Sequence, residues 1–442
     1  MVLMRRKVII LGAAGRDFHN FNMLFRENAE FEVVAFTAAQ IPYIEKRIYP
    51  KELSGKLYKR GIPIFSEGKL PELIERYSAD ICVMSYSDVY DADVMHKASV
   101  ANANGADFWM VSPSHTMIKS TKPVIAVCAV RTGCGKSQVS RYIANLVRKH
   151  GKVPVVLRHP MPYGDLKSQI VQRFETLKDL DIHKTTIEER EDYEPHIKNN
   201  TIVYAGVDYE KIIRQAEKEA DIIIWDGGNN DAPFIKPDLM ITVADPLRVG
   251  HEFTYYPGET VARMAQVLII NKVNSATKKD VAQLRENLKR LNPAAKIILS
   301  NSKISVDNAA GIKGKRVLVI EDGPTVTHGG MKFGAALVAA KKYGARSIVD
   351  ARLSAVGEIE KAYEKYPHLK LVLPALGYSK AEIRDLDKTI NNAKCDTIVS
   401  ATPIELSRVL RLKRPVVNVR YELSEIGSAL SDTIINFVKK EG

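Results

Sequence analysis

Residues 131–137 read Arg-Thr-Gly-Cys-Gly-Lys-Ser, between an apolar run from Val124 to Val130 and an amphipathic helical pattern. Strand, glycine loop and helix in that order make a cradle for phosphate. Gly133 and Gly135 let the backbone turn tightly, so that N–H groups along Thr132, Gly133, Cys134 and Gly135 point at phosphate oxygens. The helix opening near Lys136 adds the positive end of its dipole. Lys136 is placed to reach the β- and γ-phosphates as a catalytic cation, and the Ser137 hydroxyl to hold Mg²⁺. The expected chemistry is Mg²⁺-dependent use of a nucleoside triphosphate.

Such a loop needs a carboxylate to organise the metal. Asp226 supplies it at the end of the apolar run Ile222 to Trp225, where open parallel sheets keep their ligands. Gly227 and Gly228 then allow close approach to a γ-phosphate. Asn271-Lys272-Val273-Asn274 ends another strand and resembles the Asn-Lys-x-Asp guanine motif of GTPases, with an amide in place of the final acid. An amide brings a donor where guanine also donates, so ATP is favoured and GTP stays open. The same residues could simply form a turn. Arg158, His159 and Asp165 follow a third strand and could contact substrate or metal, or only shape a Pro-rich turn.

Two further polar segments are candidates. The run Glu188 to His196 reads as a solvated helix face, with a switch segment that brings Glu191, Asp192 or Glu194 to Mg²⁺ as the sharper alternative. Thr325, Thr327 and His328 follow the strand Lys315 to Ile320 and precede a small-residue helix, as an anion-binding or catalytic loop requires. Near the start, Gly12 and Gly15 turn a strand into a helix and bring Arg16, His19 and Asn20, which could hold an anion or only pack tightly.

Strand and helix alternate through all 442 residues, which predicts an α/β protein with mostly parallel sheets. The pattern divides into a Rossmann-like unit at residues 1–120, a phosphate-loop unit at 121–305 and a C-terminal α/β unit at 306–442. Hydrophobic content of 45% supports ordinary cores, and no apolar stretch reaches membrane-spanning length, so a cytoplasmic protein is expected. The four cysteines have no paired spacing, which argues against a zinc site or a disulfide framework. Cys134 would be open to thiol reagents without nucleotide, or would merely fill a loop position. A net charge of +13 is spread along the chain without a nucleic-acid motif, and suits a nucleotide with a small anionic substrate. A homo-oligomer remains open.

The loop departs from the Gly-x-x-x-x-Gly-Lys-Ser/Thr pattern, having Val130 where glycine is expected. Its spacing from Ala129 resembles the dethiobiotin synthetase loop. It is also similar to the loop of the nitrogenase-iron-protein and MinD class, with Arg131 at the place of an extra signature lysine. Together Ala129 to Ser137, Asp226-Gly227-Gly228, Asn271 to Asn274 and Glu321 to Met331 resemble a prokaryotic family of predicted GTPases called cyclic 2,3-diphosphoglycerate synthetase-like. That resemblance implies ATP-dependent closure of 2,3-bisphosphoglycerate into its cyclic phosphoanhydride. Lys136 and Mg²⁺ would neutralise the transferred group, Arg131 would add charge from the same or a neighbouring subunit, and His328 and Arg158 would contact substrate. The alternative is a regulatory or assembly GTPase or ATPase acting by conformational switching.

Overall fold

Within the apolar run before the glycine loop, alternate residues go to opposite sides. The computed structural model describes residues 5–39, 44, 47–159, 164–327, 329–376 and 379–441. In it the strand Val124–Ala129 sends Ile125, Val127 and Ala129 into one hydrophobic core and Val124, Ala126 and Cys128 into another. A strand covered on both faces needs no polar face, hence the unbroken apolar sequence. The same division recurs at the centres of the other units. Val8 and Ile10 face one core there and Ile9 and Leu11 another, as do Leu318 and Ile320 against Val317 and Val319.

The fold is α/β, as expected. A six-stranded sheet runs in the order Ile48–Tyr49, Ile62–Ser66, Phe31–Ala38, Arg6–Leu11, Ile81–Met84, Asp107–Met110. All its pairings are parallel except that of Ile48–Tyr49. A 13-stranded sheet takes up most of the remaining described strands. At its centre Val124–Ala129 lies between Ile222–Asp226 and Leu239–Ala244, so the glycine loop and Asp226 leave neighbouring strands at the same end. Pro154–Arg158 lies on the far side of Ile222–Asp226, and its register sets Arg158 directly beside Asp226.

The strand Lys296–Val306 is longer than the closing strand read from the sequence. It pairs in parallel with Val267–Ile270, then antiparallel with Val416–Glu425 from Ser300 opposite Glu425 to Val306 opposite Val419. The central and C-terminal units therefore share one continuous sheet. The first unit is tied on by a two-stranded ribbon of Val89–Tyr90 with Tyr255–Tyr256 and by a bridge from Ile118 to Ile235.

The acidic run forms the helix Ile187–Lys198, opened by a capping box in which Thr186 and Glu189 exchange hydrogen bonds. Glu188, Glu189, Glu191 and Glu194 are all buried, which corrects the reading of a solvated face. The cause lies in the packing. Ile187 joins the C-terminal core while Tyr193 and Ile197 join the central one, so the helix is clamped between them. Ser379 and Glu382 form the helix-opening box expected of them.

Candidate active site

The glycine loop is braced from below. Gly133 and Gly135 take positive φ of 81° and 103°. A Cβ at Gly135 would lie 2.2 Å from the Asn271 amide nitrogen, so no larger residue fits. That amide donates to the Cys134 carbonyl at 3.0 Å, and its oxygen accepts from Ser300 Oγ at 3.0 Å. Lys272 Nζ donates to the Gly133 carbonyl at 2.5 Å and pairs with Asp245 at 2.8 Å. Asn271 and Lys272 thus act beneath the loop. Asn274 bonds the backbone of Ser302 through both amide atoms, each at 3.0 Å, and lies outside the cavity lining. Cys134 is buried and burial pushes its thiol up to about 11, which fits a residue that fills the loop.

Lys136 turns toward Asp226, with Nζ 2.6 Å from Oδ1, and donates to the Gly227 carbonyl as well. Arg158 reaches the same carboxylate at 3.2 Å and the Asp226 carbonyl at 2.6 Å, and pairs with Asp192 through its other nitrogen. His196 Nε2 lies 2.8 Å from Asp226 Oδ2. Burial alone would raise the Asp226 pKa, but Lys136, Arg158 and His196 hold it well below the usual carboxylate range. Burial moves Lys136 and His196 downward. Gly227 and Gly228 are dictated by packing: a Cβ on the first would strike Trp225 at 2.5 Å, and on the second the His159 ring at 2.8 Å. His159 is wedged against Gly15 of the first unit and pairs with Asp231 at 3.3 Å.

Arg131 is buried, 3.0 Å from Asp88 and with its guanidinium 3.4 Å from the Tyr255 ring centre. It fastens the loop to the first unit. Arg16 is buried too, facing Asp231 at 3.6 Å and stacked over Phe234 at 4.7 Å. His19 stacks on Phe234 and bonds the Thr116 carbonyl at 2.7 Å, so it is a core residue.

The C-terminal unit closes the loop from above. Thr325 stands 3.0 Å from where a Gly133 Cβ would sit, and Asp322 caps the short helix Gly323–Val326 that carries it. Thr327 Oγ1 donates to the Gly323 carbonyl at 2.8 Å. His328 lies outside the described residues. Glu321 accepts from the N–H groups of Gly334, Ala336 and Leu337 at 2.9–3.1 Å, and burial raises its pKa to about 7.

These parts meet on one cavity of about 470 Å³. Arg16, Arg131, Thr132, Gly133, Gly135, Lys136, Ser137, Arg158, His159, Lys272 and Thr325 line it, whereas Asp226, Cys134, Asn271 and Thr327 are buried outside the lining and Asn274 is exposed outside it. Segments that read as three separate candidate sites thus converge. The sequence reading missed Arg248, which bonds the Gly329 carbonyl at 2.8 Å and reaches Cys134 Sγ at 3.5 Å. On the acidic helix it named Glu191 and Asp192 only as the alternative to a solvated face, and it missed Glu188 and Pro195, which line the cavity with them. Their i, i+3, i+4, i+7 spacing was the available signal.

Ser137 fits a metal ligand, since it opens the loop's helix on the cavity wall. Asp226 fits less directly, because both its oxygens are engaged. Among the described residues no group of three or more His, Cys, Asp or Glu could hold an ion alone, so nucleotide phosphates would have to complete the set. No helix among the described residues is long and apolar enough to cross a membrane.

No family model matches the chain. Among solved structures, LpxK from Aquifex aeolicus in complex with ATP superposes over 84% of this chain and 99% of its own, at 11% identity and a TM-score of 0.44. A pseudomurein peptide ligase type C from Methanothermus fervidus covers 99% and 95%, at 12% identity and a TM-score of 0.25. Neither superposition is close enough to bear on function. The arginine synthetase ArcE of Thermococcus kodakarensis is 59% identical over 423 residues, 96% of this chain and 94% of that protein. With similarity spanning 96% of the chain, the chain is an enzyme of the synthetase type and belongs to the family of the arginine synthetase ArcE.

Proposed function

We propose that this enzyme makes arginine at the expense of ATP. The observation that carries the reading is the 59% identity to an arginine synthetase across nearly the whole of both chains. The chemistry suits the site. A guanidinium carbon is at the oxidation level of urea, so forming it from a ureido carbon means replacing oxygen with nitrogen. Oxygen leaves readily only as phosphate. Attack of the ureido oxygen on the γ-phosphorus releases ADP, and ammonia then displaces phosphate to leave the guanidinium. Lys136 and the loop amides would stabilise charge on the transferred group. A bound Mg²⁺, held by Ser137 and ordered by Asp226, would neutralise phosphate charge. Lys136 would have to leave Asp226 for the phosphates, and Arg158 and His196 would keep that carboxylate paired as it does.

The cyclic phosphoanhydride reaction is the competing reading. Its substrate is strongly anionic and would have to lie along the Arg and Lys side chains of the cavity, whereas the face that carries Glu191 and Asp322 favours a cation. Incubation of the pure protein with arginine, ADP and phosphate separates them, because a synthetase must also run backward. ATP formed only when arginine is present supports the proposal. A cyclic product from ATP and 2,3-bisphosphoglycerate, seen by phosphorus NMR, would replace it. GTP turnover without any substrate would favour a conformational switch.

A further inference from the structure

The acidic side of the cavity has a feature that the phosphate chemistry leaves unused. Glu191 is 6% exposed, lines the cavity, and neither of its oxygens receives a hydrogen bond from an N–H or hydroxyl donor. The group it faces is the carboxyl of Asp322, itself on the cavity wall and close enough to share a hydrogen bond. Among the described residues no lysine, arginine or histidine forms an ion pair with Glu191, Asp322 or Glu321. The nearby guanidinium of Arg158 is committed to Asp192 and Asp226. A buried carboxyl facing a half-buried one, with no cation between them, is costly unless a proton or a cationic ligand joins them.

We infer that Glu191 and Asp322 form the pocket that grips the guanidinium end of arginine, holding it beside the phosphate loop. The inference rests on the arginine reading and adds where the amino acid lies. A planar guanidinium offers five donors in a rigid fork, which suits two carboxyls approaching from different elements. A metal ion suits them less, since a third protein donor is lacking among the described residues. The placement also suits the reaction. Asp322 caps the segment that carries Thr325, and Thr325 stands 3.0 Å from the space beside Gly133. A guanidinium held at the pair therefore lies next to the phosphate loop, where its carbon can meet the γ-phosphate.

The test uses the full-length protein with ADP bound, titrated calorimetrically with arginine and, separately, with the ureido amino acid of the same length. Glu191→Gln keeps the shape and removes the charge. Arginine affinity should fall about tenfold or more, as expected for losing a charge-assisted bond. Affinity for the neutral ureido compound should fall less, and ADP affinity should stay as in the wild type. That contrast would not arise from general damage to the fold. Asp322→Asn should repeat the preference for losing arginine. Equal arginine affinity in wild type and Glu191→Gln overturns the pocket, even if the wild type still makes ATP from arginine, ADP and phosphate. Absence of both arginine binding and ATP formation in the wild type overturns the arginine reading, and the pocket with it.

Discussion

On the phosphate-loop wall the buried Asp226 is met by Lys136 at 2.6 Å, His196 at 2.8 Å and Arg158 at 3.2 Å. On the acidic wall the buried Glu191 and Glu321 and the half-buried Asp322 form no ion pair with a cation among the described residues. Burial pushes every carboxyl upward, and the neighbours decide whether it stays there. Asp226 is pulled well below the usual range, while Glu191 is held well above it and Glu321 at about 7. The first wall is already balanced, and its cations must rearrange to receive phosphate. The second is unbalanced and gains from a cationic ligand.

The largest expected effect comes from removing the shared cation. Lys136→Ala should lower turnover by about 10²- to 10³-fold, the scale seen when one donor to a developing oxyanion is lost. Arg158 and His196 remain on Asp226, so the variant should stay folded. Near-normal turnover would mean that Lys136 serves only Asp226, and the chemical half of the comparison would fail.

Stability tests the walls directly. Asp226→Asn leaves Lys136 and Arg158 buried without their carboxylate and should cost about 3–5 kcal/mol in denaturant unfolding. Glu191→Gln should leave stability unchanged or raise it by about 1 kcal/mol, because it removes a carboxyl that burial disfavours. Equal losses in both variants would show that Glu191 has a cationic partner in solution.

The two walls differed in legibility for the same physical reason. The loop and Asp226 could be read because glycines at fixed spacing and an acid after an apolar strand are local signals. The acid wall could be read only as the lesser alternative, because Glu188 to Glu194 looks like any solvated run until the C-terminal unit covers it. The burial of Ile187 in the C-terminal core is a contact across more than a hundred residues. Arg248 and Asp88 were silent for the same reason: each acts on the loop from a distant segment. The alternation of strands and helices fixed the fold class, but not the joining of two units through Lys296–Val306 and Val416–Glu425.

A pH series sharpens the contrast. Glu321 has its folded pKa raised from 4.5 to about 7, so the stability linked to it is complete below pH 4.5 and is lost as pH rises through 7. The loss should be on the order of 3 kcal/mol, and Glu189 and Asp17, also near 7, add to it. Asp226 behaves oppositely: its contribution is present above about pH 4 and fades as pH falls through its depressed value. Unfolding free energies measured between pH 4.5 and 8 should decline, and Glu321→Gln should flatten the decline. An unchanged slope would place Glu321 in contact with water.

The smallest effect concerns the guanine-like segment on the phosphate-loop wall. If Asn274 read a base, Asn274→Asp would restore the GTPase pattern and raise the preference for GTP. Its amide is instead consumed by Ser302, donating to the carbonyl and accepting from the N–H. A carboxylate can still accept but cannot donate, so one bond is lost and the Ser302 carbonyl faces a negative charge. The expected outcome is a loss of about 0.5–1.5 kcal/mol in stability, with the ratio of ATP to GTP turnover unmoved. A clear shift toward GTP would return this segment to the nucleotide-binding surface, and would mean that the Ser302 contact opens when nucleotide arrives.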